Sequence, residues 1–79
     1  MSTNGHHAVY AAHIESDGLR LSIEPRITTE TLRAALIAAG DPANHGDDGA
    51  AIVRPDGSLI YSAAEYSAAW VELSDNPSI

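Results

Sequence analysis

The chain has 79 residues, with eleven Asp and Glu against four Arg, no Lys, no Cys and a formal net charge of −7. A chain of this length forms one small domain that buries about 60% of its unfolded surface, with no disulfide or thiolate metal site to staple it. Phosphate contacts need clustered cations, so the charge excludes direct binding of nucleic acid or an anionic membrane and directs the surface toward basic partners.

Val9 to Glu24 alternates in hydropathy, with Tyr10, Ala12 and Ile14 on one face and Leu19, Leu21 and Ile23 continuing it beyond Asp17-Gly18. This reads as a hairpin. A two-residue Asp-Gly loop of type I′ sets Ile14 opposite Leu21, Ala12 opposite Ile23, and Glu15 opposite Arg20 on the other face. Pro25 ends the second strand. Thr28 is placed to cap a helix over 29–39, with Glu30 in its first turn, a staple from Ile27 to Leu32, and Leu32, Ala35, Leu36 and Ala39 along one side. Gly40 is expected as a left-handed C-terminal cap.

Residues 41–49 hold three Asp, two Gly, Pro42, Asn44 and His45, a composition of exposed loop. Two short β-like runs, 50–54 and 59–61, flank Pro55-Asp56-Gly57 and form a second hairpin. Ser62 and Glu65 match a capping box, and the helix beyond them carries Tyr66, Ala69, Trp70 and Leu73 on one face before Asp75-Asn76-Pro77 stops it. The expected fold is α+β, in the order ββαββα, with a four-stranded antiparallel sheet covered on one face by two helices. Tyr10, Ile14, Leu21, Ile23, Leu32, Leu36, Val53, Leu59, Tyr61, Trp70 and Leu73 are the expected core. A faint repeat, isoleucine then Asp-Gly then leucine, runs through 14–19 and 52–59. Residues 1–79 form a single domain, with 1–7 and 75–79 expected to fray.

The chain carries none of the common catalytic signatures: no Cys nucleophile, Gly-x-Ser-x-Gly elbow, phosphate-binding Gly-rich loop ending in Lys, or His-Glu-x-x-His helix. A non-enzyme without cofactor is therefore expected. His6, His7, His13 and His45 accompany the acidic loop, but 41–48 departs from a calcium-binding loop at nearly every position, and no metal site is assigned. The polar N-terminus lacks an apolar signal segment, and no uncharged apolar run approaches the about twenty residues needed to span a bilayer. The expectation is a cytoplasmic protein with no membrane partner.

Carboxylates on one face can occupy the basic surface that a partner uses for nucleic acid. A duplex about 30 Å long carries roughly eighteen phosphate charges, so eleven scattered carboxylates suit local competition and not full duplex mimicry. Asp41, Asp47 and Asp48 share one loop, and Glu15, Asp17 and Asp56 lie at or near hairpin tips; these six are the candidate partner-binding residues. The sheet face bearing His13, Arg20, Ser22 and Glu24 is expected to be the wet one.

In size, acidity, lack of Cys and simple α+β pattern, the chain resembles the small phage and mobile-element inhibitors of bacterial defence, the anti-CRISPR proteins of type I systems in particular. The resemblance covers the whole chain in general character and rests on no motif. It implies a stoichiometric inhibitor in a bacterial host that binds a CRISPR effector subunit and blocks DNA recognition. The other reading is an antitoxin-like or regulatory interaction module, a monomer or weak homodimer, that uses the edge of its sheet.

Overall fold

A computed structural model describes residues 6–77. The strands are β1 (His7–Glu15), β2 (Gly18–Leu21), β3 (Ile27–Thr29), β4 (Ala50–Val53) and β5 (Leu59–Ile60), and the helices are α1 (Leu32–Ala39) and α2 (Ala63–Asp75). All strand pairs are antiparallel, in the order β2-β1-β4-β5, with β3 also on β1. The α+β class and the two helices on one face of the sheet match the expectation, with β3 as an added fifth strand.

β3 corrects the helix start. Residues 27–29 pair with Val9, Ala8 and His7, and the cap is Thr31, whose Oγ1 accepts from the Ala34 amide at 3.1 Å. Thr28 and Thr29 are β-branched and fit a strand as readily as a cap, so the choice falls to the partner that Val9 offers. At the other end Gly40 is right-handed, φ −81°, and not the left-handed cap expected. The second helix starts as read: Ser62 Oγ accepts from the Glu65 amide, and Glu65 Oε1 accepts from the amides of Ser62 and Tyr61.

The first hairpin forms with a register shifted by two from the expected one. Ile14 lies opposite Leu19, His13 opposite Arg20 and Ala12 opposite Leu21. The loop is Ser16-Asp17, and of the residues around it only Gly18 has a positive φ, at 132°; a type I′ turn would require two. A shift of two preserves the face of every side chain. It also leaves Glu15 and Arg20 within diagonal reach, Arg20 Nε donating to Glu15 Oε2 at 2.6 Å.

β2 and β3 follow the same edge of β1, joined by a loop that leaves and rejoins it. Ser22 N–H donates to Ala11 O and Arg26 N–H to Val9 O, while Ser22 Oγ accepts from the Ala11 amide. Between them Ile23 projects into solvent, 97% exposed.

The largest correction concerns which face of the sheet is covered. Helix residues Leu32, Ala35, Leu36, Ala39, Ala69 and Leu73 pack on Val9, Ala50, Ile52 and Ile60, with Tyr66 half-buried against them. The face read as core points the other way. Its cross-strand rows are Leu59–Val53–Ala8, Ala51–Tyr10, Leu21–Ala12 and Leu19–Ile14. No described helix lies over them, and Ile14 is 60% exposed. Ile23, Tyr61 and Trp70 also lie outside the core, Trp70 at 45% exposure. Small side chains on α1 and α2 let the helices sit close to the sheet, so the covered face needs only Val9, Ile52 and Ile60 as its large members. At the termini, His7 already pairs with Thr29, while 1–5, 78 and 79 lie outside the described residues.

Two outcomes follow for stability. Ile52→Ala is expected to cost about 2–5 kcal/mol and Ile14→Ala less than about 0.5 kcal/mol, in urea unfolding of dilute protein; the sequence-based core would reverse that order. Acid unfolding has two stages. Partial burial, then the charge of Arg54, lowers His7 below 6.5, so the unfolded chain takes up that proton first and stability begins to fall below this pH. Amide donors from Ser62 and Tyr61 lower Glu65, and the Arg54 guanidinium lowers Glu72. Their stabilisation is complete above 4.5 and is lost as pH falls through the lowered native values. Glu65→Gln, which keeps the accepting oxygen and removes the titration, is expected to flatten the second stage in a series of thermal melts.

Candidate protein-binding surface

β1 runs from the β4–β5 turn at one end to the acidic loop at the other. Beyond the β4 pairing, the loop before β4 continues along β1: Ala12 N–H donates to Gly49 O and Asp48 N–H to Ala12 O, both at 3.0 Å. Asp48 Oδ2 then accepts from the Ile14 amide at 2.6 Å. Tyr61 holds the same loop from β5, its hydroxyl donating to Asp48 O. Residues 46–49 therefore form a tight bridge, Gly46 N–H to Gly49 O, in place of a free loop.

The first half of that loop is also structured. Asp41 Oδ1 accepts from the Ala43 amide and starts a 3-10 turn at Pro42–Asn44. Asn44 Nδ2 donates to Ala38 O, and His45 Nε2 lies 2.6 Å from Ala39 O. A carbonyl only accepts, so that nitrogen carries the proton. Backbone amides of Gly40 and Asp41 already satisfy the carbonyls of Leu36, Ile37 and Ala38, so Asn44 adds a second donor at Ala38 O and His45 supplies the partner of Ala39 O.

This end of the molecule thus gathers Asp41, Asp47 and Asp48 from the loop with Glu15 and Asp17 from the β1–β2 hairpin, five of the six candidate carboxylates. Asp56 stands apart, in the β4–β5 turn at the opposite end, where Val53 pairs with Ala8. There it accepts from the Ser58 hydroxyl and amide, which hold it below the ordinary carboxylate range. The cations divide the other way. Arg20 alone is at the acidic end, engaged by Glu15. Arg26 follows the exposed edge to Val9, Arg33 is in the first turn of α1, and Arg54 donates to Glu72 at 2.8 Å.

The five carboxylates are not equivalent. Asp41 and Asp48 hold backbone, and Glu15 is paired. Asp47, 91% exposed, has only the looser contact of His13 Nδ1 at 3.5 Å, and Asp17 sits in the exposed hairpin loop. His13, expected on the wet outer face, is half-buried on the helix side of the sheet and packs against Gly46, where a Cβ would fall 2.8 Å from Ala12 O and 2.9 Å from its ring. Sequence reasoning missed Tyr61 as a holder of this loop; its place after an isoleucine in a strand gave only the signal of a core residue. Among the described residues no three His, Asp or Glu side chains converge as a metal site, and no helix is long and apolar enough to cross a membrane.

Comparison with protein-family models, curated proteins and solved structures returns no match.

The distinction among the carboxylates is measurable. Asp48→Ala is expected to cost on the order of 1 kcal/mol and Gly46→Ala about 1–3 kcal/mol, while Asp47→Ala leaves the denaturation midpoint unchanged.

Proposed function

We propose that the chain is a small non-enzymatic inhibitor that uses its acidic end to occupy a basic, nucleic-acid-binding surface on a partner protein. The observation that carries this reading is the gathering of Glu15, Asp17, Asp41, Asp47 and Asp48 at one end, with three of the four Arg elsewhere. With Arg20 as its one cation, this end carries −4 of the chain's −7, a local concentration of negative charge. The hydrogen bonds at Asp41 and Asp48 hold the loop in one shape, so little conformational entropy is lost when the partner binds.

On this reading the loop mimics a short run of phosphates and competes for one pocket of a basic channel. The general likeness to type I anti-CRISPR proteins supplies a concrete candidate target, the DNA-binding surface of a type I surveillance complex in a bacterial cytoplasm. The protein itself contacts no nucleic acid.

The substitutions that test it are those that remove charge without loosening the loop. With Asp17→Asn and Asp47→Asn combined, capture of a nucleic-acid-binding protein from nuclease-treated bacterial lysate is expected to fall at least about tenfold, and wild-type binding to weaken steeply from low to high salt. With a purified type I complex, one equivalent of wild-type protein is expected to abolish target-DNA binding. Affinity that neither salt nor the double substitution changes would reject the acidic end as the contact.

A further inference from the structure

The loop before β4 and the first turn of α2 leave a cleft between them at the acidic end. Its volume is about 360 Å³, and Ala39, His45, Asp48, Tyr61, Ala63 and Tyr66 are on its walls; ligand pockets run from roughly 300 to 1,000 Å³. Its polar side chains share one property. Tyr61 Oη donates its proton to Asp48 O at 2.9 Å, Tyr66 Oη to Ala50 O at 2.7 Å, and His45 Nε2 to Ala39 O at 2.6 Å. A phenol and a neutral imidazole each have one proton to give, so what remains on all three is lone pairs, on two hydroxyl oxygens and on His45 Nδ1. Asp48, the one charged residue on the walls, only accepts. Burial, then the neighbouring Tyr61, raises the Tyr66 hydroxyl above the ordinary tyrosine value, so it keeps its proton and its oxygen stays an acceptor.

Side chains that have spent their donors and kept their acceptors suit a ligand rich in N–H groups. We propose that this cleft receives an arginine side chain of the partner. The occupant rests on the inhibitor reading, and the cleft gives that reading a specific contact inside the acidic end. Charge agrees with a cation, since no Arg lines the cleft. The start of α2 alone would favour an anion, with about half a positive charge. Glu65 reverses this: it stands in that first turn with a full negative charge, and its Oε1 already takes the amides of Tyr61 and Ser62. Arginine fits better than lysine, because a planar fork of five donors reaches acceptors on several walls at once, is less strongly hydrated and stacks on aromatic rings. An arginine held here is withdrawn from the phosphate it would otherwise grip.

The probe is ethylguanidinium chloride, added to the unsubstituted protein. Amide resonances of Gly49, Ala63 and Tyr66 are expected to shift and saturate with a dissociation constant on the order of 1–10 mM, while those of Ile23 and Val71 stay fixed. Sodium chloride at the same concentration is expected to move none of them, and n-butylammonium to bind at least threefold more weakly. Ala63 is exposed at the first position of α2, so Ala63→Leu fills the cleft without removing a hydrogen bond; it is expected to abolish the saturable shift and to lower capture of the partner at least tenfold. Asp17→Asn with Asp47→Asn, outside the cleft, is expected to leave guanidinium binding within about twofold. No saturable shift, or one that Ala63→Leu leaves unchanged, overturns the proposal, and equal binding of butylammonium overturns the choice of arginine. Sodium acetate shifting the same resonances would reverse the sign of the ligand and overturn it too. Absence of any captured partner would reject the inhibitor reading and leave the guanidinium result standing, whereas capture that survives Ala63→Leu would reject the cleft and leave the acidic end.

Discussion

β1 hydrogen-bonds along both of its edges, and every other strand is placed by reference to it, directly or through β4. One edge carries β2 and then β3; the other carries β4 and then the bridge of residues 46–49. Its middle must accept strands on both sides and still lie under helices, and it does so with small residues: Ala11 and Ala12 pair near Ala50 and Ala51, and all four are buried. Bulk is therefore confined to Val9 on the helix side and to Tyr10 and Ile14 on the other. With only about 60% of its surface available for burial, a chain of this size covers one face of the sheet well and has no material left for the second.

That shortage explains what could and could not be read from the residues. The class, the order of the major elements, the Ser62–Glu65 cap and the Asp56-Gly57 turn all depend on local spacing, and local spacing is what a sequence displays. The face assignment failed because Tyr10, Ile14, Leu21, Val53 and Leu59 out-bulk Val9, Ile52 and Ile60. Choosing the bulkier stripe is sound only if the chain buries just one stripe. β3 was hidden because its pairing to β1 spans about twenty residues, and nothing in Ile27-Thr28-Thr29 separates a strand from a helix entry. The acidic loop was legible as composition, yet its hydrogen bonds to β1 and Tyr61 depend on an approach that only the folded sheet creates.

The two surfaces divide the chemistry of the molecule between them. Within the acidic end, Asp17 and Asp47 are the carboxylates that hold no backbone, while the sheet face opposite the helices carries no charged strand residue. Charge and apolar area are therefore separated on the surface, and the forces they exert differ, one screened by salt and one not. The isoleucine, Asp-Gly, leucine repeat falls across the β1–β2 and β4–β5 turns, in two hairpins joined through the β1–β4 pair.

The excursion between β2 and β3 has a use of its own. Ser22 and Arg26 fasten the chain to β1 on either side of Ile23, Glu24 and Pro25, so the pairing does not depend on how many residues pass between those anchors. Solvent-exposed crossings with anchored ends are where domains accept insertions. A peptide epitope or a fluorophore-bearing loop can be spliced there, away from the helices and from the acidic end, turning this edge into an attachment point for following the protein in a cell.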